Sequence, residues 1–203
     1  MSPGPRLDSA GMWDAVSAWP EQLTGALETA RAVFGASSGE DAAPPRAVVG
    51  VGVGTGAAAC EAVAALTGPR LEVPFVVGRG GDLPAFVGPG CLVLAASCGA
   101  ESPETVTAVR DALARGAHVA GVGNDGELAR LAALSGFPWC PVGGEGAAAR
   151  AALGAATVSM LCALRQGGLL PDCAPSVSAA AASLARRRDA YVGAGDRGAG
   201  TAG

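Results

Sequence analysis

Apolar residues in the middle of the chain form short, nearly continuous runs, and the segments between them carry apolar residues at helical spacing. The runs are "AVVGVGV", "LEVPFVV", "CLVLAAS", "AHVAGVG" and "FPWCPV". Between them, "TGAAACEAVAAL", "SPETVTAVRDALARG" and "DGELARLAALSG" read as helices. Strands that are apolar throughout and alternate with helices indicate a parallel sheet covered on both faces. The expected fold class is α/β, a three-layer doubly wound parallel sheet with flavodoxin-like strand order.

The two ends of the chain follow other patterns. Residues 12 to 34 have helical spacing, with a second helix starting at Pro20, and "GASSGEDAAPPR" reads as a linker. Toward the other end, "AAARAALGAATVSMLCALRQGG" predicts one long closing helix. The expected organisation is an N-terminal helical segment with its linker (1–45), an α/β domain (46–170), a C-terminal helix (171–188) and a disordered, glycine-rich tail (189–203).

Composition narrows the function classes. The chain has 203 residues, half of them apolar, and its 14 basic residues are all arginine. Without lysine, neither a Schiff base nor a P-loop lysine is available. A net charge of −4 without a basic stripe argues against a nucleic-acid partner. No segment is long enough to span a membrane and the N-terminus lacks the apolar core of a signal peptide, so we expect a cytoplasmic protein without membrane contact.

The six cysteines lack metal-ligand spacing. They occupy positions 60, 91, 98, 140, 162 and 173, with no C-x-x-C and no pairing with the single histidine, His118. Several lie inside apolar runs, as buried thiols do. We therefore favour reduced structural cysteines over a disulfide or metal scheme, and we expect neither a metal nor a cofactor.

Two loops have the composition of an anion site. In the first loop, within "GVGVGTGAAAC", the candidate phosphate-binding residues are Gly54, Thr55 and Gly56. In the second, within "LVLAASCGAESPETVTAV", they are Ser97, Gly99 and Ser102. Both loops follow strands, where open α/β sheets bind ligands, and both precede helix N-termini, which favour anions. The structural alternative is equally simple: the glycines are tight-turn residues and Ser102 is an ordinary N-cap before Pro103.

A dinucleotide site is a second interpretation of the first loop. Gly52, Gly54 and Ala57 fit G-x-G-x-x-A, and Arg79 follows the second strand, where it could meet a 2′-phosphate. The match is weak in a chain rich in glycine and alanine. Glu72 lies at the start of the second strand, away from a ribose.

The order of several longer motifs resembles a known family. "WPEQLTGALETA", "VGVGTG", "VPFVVGRGGDLPAFV", "LVLAASCGAESPETVTAVRDALARGAHVAGV" and "ARAALG" together resemble the first sugar isomerase (SIS) domain of the bifunctional phosphoglucose/phosphomannose isomerases of archaea and actinobacteria. The resemblance covers roughly residues 12 to 170, and its most specific pieces are "DLPAFV" and "ARAALG". It implies a SIS-type fold and a phosphosugar ligand.

The resemblance also implies which residues hold the phosphate. The family's first loop reads G-M-G-G-S-G, and Thr55 is the nearest match to its serine if one residue is missing. Its second loop reads S-Y-S-G-N-T-E-E-T, in which Ser97 matches the first serine and Ser102 the phosphate-binding threonine. Gly99 replaces the second serine and Glu101 the asparagine. The loss of a hydroxyl and the added negative charge are each expected to weaken anion binding, by about 1 to 2 kcal/mol.

Fewer of the family's catalytic residues than of its phosphate-binding residues can be matched in this chain. Arg150 in "ARAA" matches the active-site arginine of the family's P-R-A-A, whereas the family's catalytic glutamate, histidine and late lysine belong to its second SIS domain. Aldose–ketose isomerisation needs a base. His118 begins the fourth strand, away from the ligand edge, and Glu145 is the carboxylate that we nominate as a substitute base.

Three functions remain open at this stage. The first is a phosphosugar-binding protein that does not turn over its ligand independently. The second is an aldose–ketose isomerase completed by a partner subunit or a second SIS domain. The third is a decayed SIS fold that acts as an interaction module. SIS domains commonly pair, so the expected partner is a second copy of the chain or a second SIS subunit.

Overall fold

A single parallel sheet organises the fold. We describe it from a computed structural model, which covers residues 11–35, 43–99, 101–142 and 148–198. The strands are β1 (Ala47–Gly52), β2 (Phe75–Gly78), β3 (Cys91–Ser97), β4 (His118–Gly123) and β5 (Trp139–Pro141). Their order is β2-β1-β3-β4-β5 and every pairing is parallel. This result confirms the predicted α/β class and flavodoxin-like order, and it places the topological switch point between β1 and β3.

Helices cover both faces of the sheet. They are α1 (Met12–Ser17), α2 (Trp19–Phe34), α3 (Thr55–Thr67), α4 (Pro103–Ala114), α5 (Glu127–Ser135), α6 (Ala148–Ala151), α7 (Leu153–Gln166) and α8 (Ala174–Gly198). Buried side chains form two clusters, one shared with α2, α3, α7 and α8, the other with α4 and α5. Along β3 the side chains alternate between the clusters: Leu94 and Ala96 face the first, Val93 and Ala95 the second. This double burial explains why the strands are apolar throughout.

The N-terminal helix α2 is part of the core. Its inward residues Leu23, Leu27, Ala30 and Phe34 belong to the first buried cluster. The far part of α8 also holds this segment, because Arg188 Nη1 donates to Glu21 Oε1 at 2.9 Å. The N-terminal segment therefore contributes to the main domain's packing.

Three elements differ in extent from the sequence-based expectation. The strand expected over "LEVPFVV" begins only at Phe75, because Pro74 has no N–H to donate to the neighbouring strand. Pro74 contributes only its carbonyl, which accepts a hydrogen bond from Val48 N. The long closing helix is broken at Ala152. α8 runs on to Gly198, so it enters the segment 189–203 that we expected to be disordered.

After the break at Ala152, α7 packs directly against α2. A Cβ on Gly154 would lie 2.9 Å from Leu23 Cδ2, so the first turn of α7 is pressed against α2. Val158, Cys162 and Leu164 of α7 are buried in the core. These three side chains are therefore core packing, whereas Leu161 of the same helix is only half-buried and lines a cavity.

The first turn of α3 lies against the end of β3. A Cβ on Gly56 would lie 2.3 Å from the carbonyl oxygen of Ala96, and a Cβ on Gly52 would lie 2.8 Å from the same oxygen. Both distances are too short for a side chain. Glycine at 52 and 56 therefore allows α3 to start beside the carboxyl ends of β1 and β3.

Gly56→Ala is expected to destabilise the protein by about 2 kcal/mol or more, because the new methyl group would overlap the carbonyl of Ala96. Gly25→Ala is the matched control: it also lies in a helix, but no atom of the described residues lies within 4 Å of its added Cβ. This control should gain up to about 1 kcal/mol through helix propensity. Urea unfolding monitored by circular dichroism measures both. Equal stability of the two variants would refute the close approach.

Candidate functional site

A small cavity opens at the switch point, beyond the carboxyl ends of β1 and β3. Its volume is about 180 Å³. Five of the six residues predicted to bind phosphate line it, and the sixth, Gly56, lies behind it against β3. The lining residues are Val53, Gly54, Thr55, Ala96, Ser97, Cys98, Gly99, Ser102 and Thr105. The fold therefore brings both sequence-predicted loops to one place.

Helix α3 begins at the wall of this cavity. Its N-cap residue Gly54 has φ +57°, in the region that favours glycine, and makes no side-chain cap hydrogen bond. Thr55, the first helical residue, is half-buried and contributes its side chain to the lining. The first turn of a helix carries backbone N–H groups without intrahelical acceptors and the positive end of the dipole. In α3 one of these groups, Gly56 N, already donates to the carbonyl of Val53 at 3.1 Å. This corner of the cavity favours an anion.

Helix α4 also begins here, and its cap is already formed. Ser102 Oγ accepts a hydrogen bond from Thr105 N at 3.3 Å and donates one to Glu104 Oε2 at 2.6 Å. The hydrogen bond from Ser102 holds the pKa of Glu104 below its usual range. The N-cap interpretation of Ser102 is therefore correct, although the residue also lines the cavity. An anion would have to draw the Ser102 hydroxyl away from Glu104.

Glu101 does not line the cavity. Its two carboxylate oxygens accept from Glu127 N at 2.9 Å and Leu128 N at 2.8 Å. Both donors belong to the first turn of α5, and the N-cap of that helix, Gly126, has no side chain to supply the bond. Glu101 therefore caps a neighbouring helix, and its charge is directed to the α5 dipole.

The cysteine in the cavity wall is a neutral thiol. Burial raises the pKa of Cys98 to about 11 and that of Cys60, behind it, to about 12. A protonated thiol adds no negative charge to the cavity. It is also a poor nucleophile, since the thiolate is the reactive form.

The remaining candidate residues lie elsewhere. Arg150 is exposed on α6 and does not line the cavity, but α6 adjoins it, since a Cβ on Gly99 would lie 3.5 Å from Ala149 Cβ. Glu145 falls outside the described residues. His118 is exposed at the start of β4, at the opposite edge of the sheet, as expected from its position. Arg79 Nε donates to Glu61 Oε1 of α3 at 2.9 Å, whereas the dinucleotide interpretation needed this arginine to meet a 2′-phosphate.

Sequence reasoning missed part of the lining. Val53 and Cys98 carry no signal for a ligand, because apolar and thiol side chains in such runs are usually core. The direction of Glu101 was also missed, since its partners lie 26 and 27 residues away. Within the ranges that the structure describes, no three His, Cys, Asp or Glu side chains are grouped to hold a metal ion, and no helix there is long and apolar enough to cross a membrane.

Comparison with known proteins agrees with this architecture. No family model matches the chain. A bifunctional phosphoglucose/phosphomannose isomerase of Caldicellulosiruptor bescii is 28% identical over 180 residues, which cover 89% of this chain and 52% of that protein. Tagatose-6-phosphate ketose/aldose isomerase from Escherichia coli superposes with a TM-score of 0.62 at 16% identity, over 96% of this chain and 56% of its own. The chain has a SIS-type fold.

A further solved structure supports the same assignment. The NanR protein of Vibrio vulnificus, complexed with ManNAc-6P, superposes with a TM-score of 0.55 at 17% identity, over 88% of this chain and 71% of its own. The resemblance to SIS domains inferred from the motifs is thus confirmed. The SIS-type chain spans about half the length of the curated relative that it matches.

Replacing Glu101 tests whether its carboxylate caps α5 or faces an anion in the cavity. If it caps α5, Glu101→Ala should lower the free energy of unfolding by about 1 kcal/mol, with little change in anion affinity. If its charge faced the anion, the variant would bind a phosphosugar more tightly. Chemical denaturation measures the first effect and isothermal titration calorimetry the second. A clear gain in affinity at unchanged stability would contradict the cap.

Proposed function

We propose that this SIS-type chain binds the phosphate group of a hexose phosphate in the cavity between α3 and α4. The observation that carries the proposal is the convergence of three hydroxyl residues, Thr55, Ser97 and Ser102, with the N-termini of two helices around one cavity. Hydroxyl and backbone N–H donors at helix N-termini suit a phosphate. The C. bescii relative, named an isomerase of phosphosugars, supports this ligand class.

The size of the cavity limits what it can hold. At about 180 Å³ it is smaller than the roughly 300 to 1,000 Å³ of complete small-molecule sites. A phosphate group fits, and the sugar would extend out past Gly99. Helix α6 lies on that side, which makes its exposed Arg150 the proposed contact for the sugar oxygens.

The proposed site has few strong donors. Among the described lining residues there is no arginine, so binding would depend on hydrogen bonds to the charged phosphate, each contributing about 1.5 to 3 kcal/mol. Ser102 must also leave Glu104 to take part. We therefore expect weak binding, as suits a protein that senses an abundant metabolite.

Independent catalysis is not part of the proposal. The described lining residues include no carboxylate and no histidine, and Cys98 is held neutral. An isomerase needs a base to move the proton between adjacent carbons. Glu145 remains the nominated base within this chain.

An isomerase completed by a second SIS subunit is the alternative. It is favoured by one observation: the matched relative is named a bifunctional isomerase and is about twice as long as the aligned segment. The small cavity, which α6 adjoins at Gly99, would then be half of a shared site. An interaction module with a decayed site would instead show no ligand response.

Ligand binding should raise the melting temperature, because the ligand stabilises the folded state. At about ten times Kd, glucose, fructose or mannose 6-phosphate should raise Tm by about 3 to 6 °C. Ser97→Ala should lose most of this shift, whereas Thr107→Ala, an exposed hydroxyl of α4 outside the cavity, should keep it. Unphosphorylated glucose is the ligand control. Shifts that are absent with all three esters would favour the decayed fold.

Restoring the family's missing hydroxyl should strengthen binding. Among the described residues, a Cβ on Gly99 would meet only Ala149 Cβ at 3.5 Å, an ordinary contact, so Gly99→Ser fits there without strain. One added hydrogen bond to phosphate should lower Kd about tenfold. Calorimetric titration measures it, and Gly81→Ser, whose Cβ would also have only ordinary contacts, is the control. An unchanged Kd would place the phosphate away from residue 99.

The chain alone should not interconvert the hexose phosphates. Proton NMR in D₂O follows both isomerisation and exchange of the C2 proton, and we expect neither above background. Turnover by the purified chain, lost in Glu145→Gln, would establish an isomerase with its own base.

Size-exclusion chromatography with light scattering, with and without ligand, tests pairing with a second copy.

A further inference from the structure

Two cysteines outside the candidate site lie in direct contact. Cys162, in α7, and Cys173, immediately before α8, have their Sγ atoms 3.8 Å apart. All six cysteines are within the described residues, and five of them are buried; Cys173 is only half-buried. This pair therefore combines one accessible thiol with one protected thiol.

The surroundings of Cys173 favour its thiolate. Its carbonyl accepts from Val177 N, which makes Cys173 the N-cap of the long helix α8. Helix N-termini and nearby cations stabilise a thiolate. The neighbouring carboxylate of Asp172 opposes this effect, but Arg31 Nη2 donates to both of its oxygens at 2.9 and 2.8 Å, and Arg165 lies 3.9 Å from it.

The two thiols differ in acidity. The hydrogen bond from Cys162 lowers the pKa of Cys173, and this effect outweighs partial burial and the charge of Asp172. The same hydrogen bond, together with burial, raises the pKa of Cys162. Cys173 is therefore the nucleophile of the pair and Cys162 the thiol that stays protonated.

Access to Cys173 is through a second cavity. It has a volume of about 420 Å³, lies between α2, α3, α7 and α8, and is mostly apolar. Cys173 is part of its wall, whereas Cys162 lies behind. A small neutral oxidant can therefore reach the first sulfur before the second.

We propose that Cys162 and Cys173 form a redox-active dithiol that a hydroperoxide converts into a disulfide. The Cys173 thiolate attacks the terminal peroxide oxygen, the O–O bond breaks, and Cys173 becomes a sulfenic acid while hydroxide leaves from hydrogen peroxide, or alkoxide from an organic hydroperoxide. The Cys162 sulfur then attacks the sulfenic sulfur. The S–O bond breaks, and the departing hydroxide takes the Cys162 proton to form water. The two thiols lose two electrons and the peroxide gains them.

Closing the bond requires a small movement. A disulfide is about 2.05 Å long, so the two sulfurs must approach by less than 2 Å. The connection between α7 and α8 contains Gly167 and Gly168, the latter at φ +72°, and can absorb this shift. The bridge would tie the start of α8 to α7 and draw the Cys173 sulfur out of the apolar cavity wall.

The test treats the full chain with about one equivalent of hydrogen peroxide. The expected product has lost 2 Da, shows a Cys162–Cys173 linked peptide, melts about 5 °C higher, and reverts with a reducing agent. Cys162→Ala should instead accumulate a dimedone-reactive sulfenic acid at Cys173. Cys173→Ala should lose both products, whereas Cys91→Ala, a buried thiol on the other face of the sheet, should behave like the original protein.

Alkylation with iodoacetamide supplies a readout that folding alone would not change. The rate at Cys173 should rise with pH at a midpoint below that of free cysteine, and Cys162→Ala should move this midpoint upward. No loss of 2 Da, a disulfide between other cysteines, or an alkylation midpoint equal to that of free cysteine would each overturn the proposal.

Discussion

The contact between the first turn of α3 and the carbonyl of Ala96 sets the geometry of the rest. Because Gly52 and Gly56 have no side chains, α3 starts within backbone contact of β3. The start of α3 and the loop after β3 then face each other across a cavity, with no bulky side chain between them. Without this approach the sheet would keep its order, but the two hydroxyl-bearing loops would not share one cavity.

At the same edge of the sheet, the capping side chains serve some helix N-termini and not others. The N-termini of three helices, α3, α4 and α5, lie at this edge of the sheet, although they are far apart in the sequence. Two of them are capped by side chains of one loop: Ser102 serves α4 and Glu101 serves α5. Gly54 provides no such cap for α3. The electrostatic demand for an anion is therefore concentrated at α3, which is where the proposed phosphate would bind.

Helices α2, α7 and α8 form a second region, in which ion pairs between helices bear on the acidity of a cysteine. Two ion pairs link this region to α2: Asp172, just before α8, pairs with Arg31, and Arg188, within α8, pairs with Glu21. Exposed pairs of this kind contribute little stability on their own. Their position matters more, because the pair at Asp172 balances a carboxylate that would otherwise oppose the Cys173 thiolate. The acidity of one thiol thus depends on how three helices pack.

The sequence by itself determined the elements and their class. Apolar runs that alternate with helical spacing specified a doubly wound parallel sheet, and strand ends marked both loops of the candidate site, because burial and helical period are local properties. Only the tertiary structure decided which way Glu101 points, that Ser102 is engaged by Glu104, that the closing helix breaks at Ala152, and that Cys162 meets Cys173. The bond between Ser102 and Glu104 is local and depends on the side-chain conformation in the first turn of α4. The other three features depend on how closely neighbouring elements pack and, for Glu101 and the thiols, on partners 26 and 11 residues away, which no local pattern records.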